Sequence, residues 1–292
     1  MYELVHVTGS TWYIQSPAKI GLIKTSGDNI CLIDSGNDKD AGRKVRQILD
    51  ANGWHLSAIY NTHSNADHIG GNKYLQANTG CRIFAPSVEC AFTRHTMLEP
   101  SFLYGGCPMK ELRHKFLMAQ ESNAEYLTPD VLPEGWEMID LPGHFFSMAG
   151  FRTPDDAVFI ADSLSSRETL DKYRITFIYD VGEYIRTLEA LKSMKARVFI
   201  PSHAEVTEDI SELAQYNIDA VNDVAGTIAG ICRAPLCFER VLQELFTVYG
   251  LTMNFEQYVL VGSTVRSYLS WLKDNGRLKA YFDGNMLMWE AV

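Results

Sequence analysis

The 292-residue chain has no Cys-x-x-Cys pair, and its six cysteines (Cys31, Cys81, Cys90, Cys107, Cys232 and Cys237) are scattered. Scattered thiols read as reduced and mostly packed rather than as a disulfide frame. No stretch approaches the ~18 uninterrupted apolar residues that a membrane-spanning helix needs. The opening MYELVHVTGSTWYI lacks a basic region followed by an apolar core, the pattern of a secretory signal. Cytoplasmic localisation, with no membrane partner, is the expectation. Basic residues are in the minority, 26 Lys and Arg against 36 Asp and Glu, for a formal charge of −10. Phosphate binding needs clustered Lys and Arg, so a non-specific nucleic-acid binder is excluded and no nucleic-acid partner is expected.

What remains is ordinary for a globular chain with a proper core: 46% apolar and 21% charged residues. The length suits one large domain, or a main domain with a small appendage. Short apolar runs end on polar residues: NICLID at Asp34, LSAIYNTH at His63, AVFIAD at Asp162 and RVFIPSH at His203. With CRIFAPS they predict five buried strands. Helical patterns lie between them, over 41–51, 71–77 and 183–196, the last with Tyr184, Leu188, Leu191 and Met194 at helical spacing. Alternating strands and helices predict an α/β architecture. ICLIDSG and VFIADSL also echo each other, each placing Asp-Ser at a strand end.

Residues 87–125 break this rhythm with a helical start, a Gly-Gly-Cys-Pro turn and a second helical stretch. They read as an insertion over a site or as a helical pair on a sheet face. After residue 207 the pattern turns helical. Residues 211–232 carry Leu213, Ala220, Val224, Ile228 and Ile231 on one stripe, and two further helices stop at Gly250 and Gly276. A hairpin is predicted around Asp283-Gly284. Residues 208–292 thus resemble a small winged-helix module, whose balanced charge favours a packing or dimerisation role over DNA reading. Leu245, Phe246 and Trp271, if exposed, would suit a homodimer.

Four of the eight histidines fall at strand ends or in the loops just after them: His63, His68, His144 and His203. His6, His55, His95 and His114 read as ordinary residues. Acids Asp67 and Asp162 share the strand-end positions, where ligands converge in α/β sheets. Imidazole and carboxylate together suit zinc, and a catalytic zinc keeps one position open for water. It lowers the pKa of that water from ~15.7 to near 7.

In order along the chain, THSNADH, LPGH at His144, FIADS at Asp162 and IPSH at His203 resemble the motifs of the metallo-β-lactamase superfamily, with Asp34 at its early acidic position. The resemblance covers roughly residues 1–207 and implies an αββα four-layer sandwich with a metal site at one edge. It implies that His63 and His144 hold a first metal and that Asp67, His68 and His203 hold a second. Asp162 would bridge the two, and Asp34 would support the motif loop by hydrogen bonds. One or two zinc ions are expected, with iron or manganese as alternatives.

Asn65 departs from the pattern, because the family places a histidine there as a first-metal ligand. A carboxamide is a weaker, uncharged ligand, so a weaker first site is expected. The implied activity is hydrolysis of a small ester, thioester or lactone by metal-bound hydroxide, broadly like glyoxalase II, with Asp67 orienting the water and taking its proton. Met97, Phe102 and Tyr104 are candidates for the wall of the pocket. Two other classes stay open: an iron-dependent oxygenase or redox protein in the same cleft, and a binding or regulatory protein with a degenerate site.

Overall fold

The computed structural model describes residues 2–292. They form two compact units. Of the described residues, the first comprises 2–142, Phe146–Leu164 and Met194–Ile210, and the second Gly143–Phe145, Ser165–Ser193 and Ser211–Val292.

The first unit holds two sheets. Seven strands lie side by side in chain order: β1 (Glu3–Thr8), β2 (Thr11–Gln15), β3 (Ile20–Lys24), β4 (Asn29–Ile33), β5 (His55–Tyr60), β6 (Arg82–Ala85) and β7 (Ala124–Tyr126). The first four alternate in direction, and β4 to β7 then run parallel. The parallel crossovers are made by helices α1 (Lys39–Asn52), α2 (Ala66–Ile69), α3 (Asn72–Thr79), α4 (Ser87–Arg94) and α5 (Leu98–Tyr104). The second sheet contains β8 (Glu137–Asp140), β9 (Ala149–Arg152), β10 (Ala157–Ala161) and β11 (Val198–Pro201), with β10 and β11 parallel.

Strand side chains alternate between faces, and the central strands are apolar on both. Ile30, Leu32, Ile59 and Ile83 join Val45 and Leu49 of α1 and Leu75 of α3 in one core. Cys31, Ile33, Ala58, Tyr60 and Phe84, their sequence neighbours, join Phe151, Phe159 and Ile200 of the second sheet in another. Each such side chain, fully buried, contributes roughly 1.5–3 kcal/mol. A single strand sequence therefore specifies two packing layers.

The second unit consists of α6 (Arg167–Tyr173), α7 (Val181–Ser193), α8 (Ser211–Ile231), α9 (Phe238–Tyr249), α10 (Phe255–Asp274) and a small sheet of β12 (Leu236–Cys237), β13 (Leu278–Asp283) and β14 (Met286–Ala291). Leu245 and Phe246 are buried, so they are not the exposed surface that the dimer expectation assumed. The buried face of α8 runs through Ala214, Ile218, Val221, Ala225 and Ile228, partly rotated from the predicted stripe.

Several local expectations shift. The hairpin turn is Gly284-Asn285, both at positive φ (52° and 65°), closed by the Asp283–Met286 pair, so Asp283 ends its strand. A two-residue turn of this kind needs left-handed backbone at both positions. The second helical stretch of the insertion is absent apart from a short 3-10 turn at Lys110–Leu112. Leu112, Leu117 and Ala119 are the residues buried there, a spacing of five then two that fits no helical stripe. The insertion ends instead as strand β7. Helix α10 begins at Phe255, where the Asn254 side chain accepts a hydrogen bond from the Gln257 amide.

Candidate metal centre

The candidate residues of the first unit follow the C-terminal ends of parallel strands. Asp34 follows β4, His63 and Asp67-His68 follow β5, Asp162 follows β10 and His203 follows β11. Two strand exits are left-handed at non-glycine residues, Asp34 (φ 63°) and Ala161 (φ 49°). Such backbone is uncommon and clusters where structure serves a site. The two echoed strings thus both turn sharply at the strand end, one residue out of step.

The opening His-Asp-His motif is fixed from behind. The Ser35 amide donates to the His68 carbonyl (2.8 Å) and the Gly71 amide to the Gly36 carbonyl (3.3 Å). Backbones approach so closely that a Cβ on Gly70 would lie 2.3 Å from the Asn37 carbonyl carbon, and one on Gly71 would lie 2.3 Å from the Ser35 oxygen. The Gly-Gly that closes the motif is a steric requirement.

Asp34 is 2% exposed and takes three hydrogen bonds. Its Oδ1 accepts from the Thr62 amide, and its Oδ2 accepts from the Thr62 hydroxyl and from His68 Nδ1, each at 2.8 Å. Because the Thr62 hydroxyl donates to Asp34, it accepts at its other face from His63 Nδ1, 3.0 Å away. His203 Nδ1 donates to the Pro17 carbonyl at 2.9 Å. Every one of these rings has its Nδ1 occupied by an outer partner, which is how metal-binding imidazoles are oriented. Asp34 is thus bonded to the motif loop at Thr62 and His68.

The Nε2 atoms of His68 and His203 face two carboxylates. His68 Nε2 lies 3.1 Å from Asp162 Oδ1 and 3.7 Å from Asp67 Oδ2. His203 Nε2 lies 3.2 Å from Asp67 Oδ2 and 3.3 Å from Asp162 Oδ2. Ligand atoms of all four residues fall within 4.8 Å of one another. Ligands about 2.0–2.2 Å from a tetrahedral zinc would be roughly 3.3–3.6 Å apart, so spacing and donor types both fit one ion. His63 stacks beside His68, their ring centroids 4.1 Å apart.

Charge supports the same reading. Burial opposes ionisation of His203, yet the adjoining Asp162 and Asp67 push its pKa up to about 10. His68 is likewise desolvated, but Asp162, Asp67 and Asp34 raise it well above the usual imidazole value. The imidazoles in turn hold Asp67 and Asp162 below the ordinary carboxylate range, against the desolvation of the carboxylates in the cluster. Protons on the two rings offset the buried negative charge that a divalent cation would otherwise balance.

His144 lies on the 143–145 turn of the second unit, where its Nδ1 donates to the Phe177 carbonyl at 3.1 Å. Asn65 stands at the N-cap of α2, yet its side chain does not cap the helix. Its Nδ2 donates instead to Glu99 Oε1 at 2.7 Å. The adjacent Ser64 hydroxyl donates to Glu89 Oε2 at 2.7 Å, and Glu89 Oε1 accepts from the Ser147 amide at 2.8 Å. Burial pushes the Glu89 carboxyl up to about 7 and Glu99 well above its ordinary value. Of the pocket candidates, Phe102 packs in an aromatic trio with Phe92 and Phe146, while Met97 and Tyr104 are about 40% exposed (41% and 39%).

Sequence reading missed Glu89, Glu99 and Lys19. Lys19 is 8% exposed, and its ammonium donates to the Ala204 carbonyl at 2.5 Å beside His203. The two glutamates lie well downstream of the motif and carry no spacing signal. An acid inside an otherwise apolar run, as at Glu89 between Val88 and Cys90, is the one cue available.

Two sheets sharing a core, with a His/Asp cluster at their strand ends, make an α/β sandwich that carries a candidate metal site. The sequence profile described as the metallo-beta-lactamase superfamily matches residues 15–203. The chain belongs to that superfamily. It is 30% identical over 165 residues to a hydroxyacylglutathione hydrolase of Methylococcus capsulatus, an alignment spanning 56% of this chain and 54% of that protein. A hydroxyacylglutathione hydrolase of Hyphomonas neptunium is 30% identical over 112 residues, 38% of this chain and 35% of that one. The chain thus spans about half the length, or less, of these curated relatives. Among solved structures, a beta-lactamase domain protein from Burkholderia ambifaria superposes with a TM-score of 0.76 at 14% identity, covering 99% of this chain and 94% of that one. A metallo-beta-lactamase family protein from Thermus thermophilus gives 0.73 at 15% identity, covering 100% and 98%. These likenesses establish the fold. No helix among the described residues is long and apolar enough to cross a membrane.

Proposed function

We propose that the protein is a metal-dependent hydrolase of a small ester, thioester or lactone. The observation that carries this reading is the orientation of His68 and His203, each anchored at Nδ1 with Nε2 turned toward Asp67 and Asp162. Zinc is the expected ion, since two imidazoles and two carboxylates make a donor set it accepts readily. The ion, when bound, supplies Lewis acidity and a water acidified toward neutral pH.

The side chains have separate tasks. Asp67, His68 and His203 hold one ion, and the family pattern assigns His63 and His144 to the other, with Asp162 shared. Asp67 keeps 41% of its side chain exposed, so its carboxylate can meet a substrate and its water. With the ion bound, it would orient that water and take its proton as the water adds to the acyl carbon. The acyl–oxygen or acyl–sulfur bond would then break, with the electron pair leaving on that oxygen or sulfur and the proton returned to it. Asp34 keeps His68 and, through Thr62, His63 in the tautomer that leaves Nε2 for the metal.

The hydroxyacylglutathione hydrolases among the relatives favour a thioester within this class. The six cysteines are all unpaired, which fits a reducing compartment such as the cytoplasm. We read the helices and three-stranded sheet of the second unit as a winged-helix-like packing or dimerisation element. The test is metal content per chain on protein purified without chelator, followed by a panel of a hydroxyacyl-glutathione thioester, an aryl ester and a lactone. Zinc together with hydrolysis that a chelator abolishes is the expected result. Iron in place of zinc would favour redox chemistry, and no metal after reconstitution would overturn the reading.

A further inference from the structure

Asn65 stands where a metal-ligating histidine is the pattern, yet its amide is committed elsewhere. It does not cap α2, and its Nδ2 donates to Glu99 Oε1 at 2.7 Å. Ser64, one residue earlier, makes a parallel bond to Glu89 at 2.7 Å. Glu89 is fully buried and Glu99 is 5% exposed. Carboxyl groups are almost never placed so deeply unless they are paired or serve a purpose. Here both are directed at Ser64 and Asn65, two of the three residues lying between His63 and Asp67.

That placement has a mechanical meaning. The backbone torsions at Ser64 and Asn65 set the angle between His63 on one side and Asp67-His68 on the other. The two glutamates come from α4 and α5, whose Phe92 and Phe102 rings pack against each other and against Phe146. Helices braced in this way give the loop two fixed anchors.

We propose that Glu99 is a positioning residue for the metal centre, acting through Asn65, so that the asparagine is a strut between the motif loop and α5. The inference rests on the reading of the cluster as a metal centre. It makes the insertion helix a determinant of metal affinity, although Glu99 itself does not hold the ion. Glutamine at 99 can still accept from the Asn65 amide, whereas leucine cannot.

The experiment measures zinc affinity by chelator competition and thermal melting of the metal-free protein, for wild type, Glu99→Gln, Glu99→Leu, Asn65→Ala and the Asn65→Ala/Glu99→Leu double variant. Glu99→Leu and Asn65→Ala should each weaken zinc binding by about 10–100-fold, the range for residues that orient ligands. Glu99→Gln should bind close to wild type, and the double variant should lose no more than Glu99→Leu alone, because both remove one interaction. If Glu99→Leu fails to fold, Asn65→Ala and Glu99→Gln still decide the matter. Lower metal-free melting with unchanged zinc affinity would reduce the pair to a structural contact and overturn the proposal, as would additive losses in the double variant. A wild-type chain that takes up no zinc would instead overturn the metal-centre reading itself.

Discussion

The two halves of the motif loop are held by acids in different ways. At the His68 end, Asp34 bonds directly to a ring nitrogen, and the ring passes that orientation on to Asp162. At the Ser64-Asn65 end, Glu89 and Glu99 grip the short polar side chains that separate one ligand position from the next. One half uses its acid to aim a ligand, and the other uses two acids to fix the loop between ligands. A buried acid behind a metal site therefore says little until the residue between it and the site is known.

The comparison is most severely tested at the cluster itself. Asp162 faces both His68 and His203, so Asp162→Ala should lower metal affinity more than about 100-fold, beyond the range for supporting residues. Elemental analysis showing at least one ion fewer per chain would check it. The next effect belongs to Asp34. Asp34→Ala strands the Thr62 amide, the Thr62 hydroxyl and His68 Nδ1 in a buried site. It should cost about 2–4 kcal/mol of stability, read from denaturant unfolding of the metal-free protein.

The pH dependence is smaller but has a definite sign. With the His203 pKa raised to about 10, its paired form stabilises the metal-free fold fully below the unfolded value near 6.5 and is lost as pH rises through about 10. Metal-free protein should melt progressively lower across that window. Saturating zinc should remove the trend, because the ion replaces the protons. Smallest is Glu89→Gln. Glu89, raised to about 7, favours folding below its unfolded value of 4.5 and loses that contribution as pH climbs through 7. At pH 8.5 the glutamine variant should be more stable by of order 1 kcal/mol in a melting comparison, since a neutral amide needs no ionisation in the core.

The strands that end at the candidate site were legible because both their faces are largely buried. ICLI and AVFIA are unbroken apolar runs and LSAIY is interrupted only by Ser57, and the polar residue that follows each run marks where it meets the site. Strands β1 to β3 were not recognised; β1 and β2 are half-exposed and mixed in composition. Strand β7 is three residues long and takes its identity from β6 alone. The motif revealed His63, Asp67, His68, Asp162 and His203 as a set, since their types and order carry chemistry. Asn65 was legible only as a departure. Its partner, Glu99, lies 34 residues on and is joined to it by folding rather than by any periodicity.

The insertion leaves the sheet after β6 and returns as β7, hydrogen-bonded to that same strand, with the Leu127 amide donating to the Ala85 carbonyl at 2.8 Å. Both of its ends are thus tied to one place. Closing a longer excursion between fixed ends adds only about 0.6 kcal/mol for each doubling of length. Descendants of this chain can therefore lengthen or shorten the exposed parts of residues 105–123 at little thermodynamic cost, provided the buried Leu112, Leu117 and Ala119 are kept, while the strand ends that carry the histidines stay where they are. The arrangement lets this excursion change its length and exposed residues independently of the cluster at the strand ends.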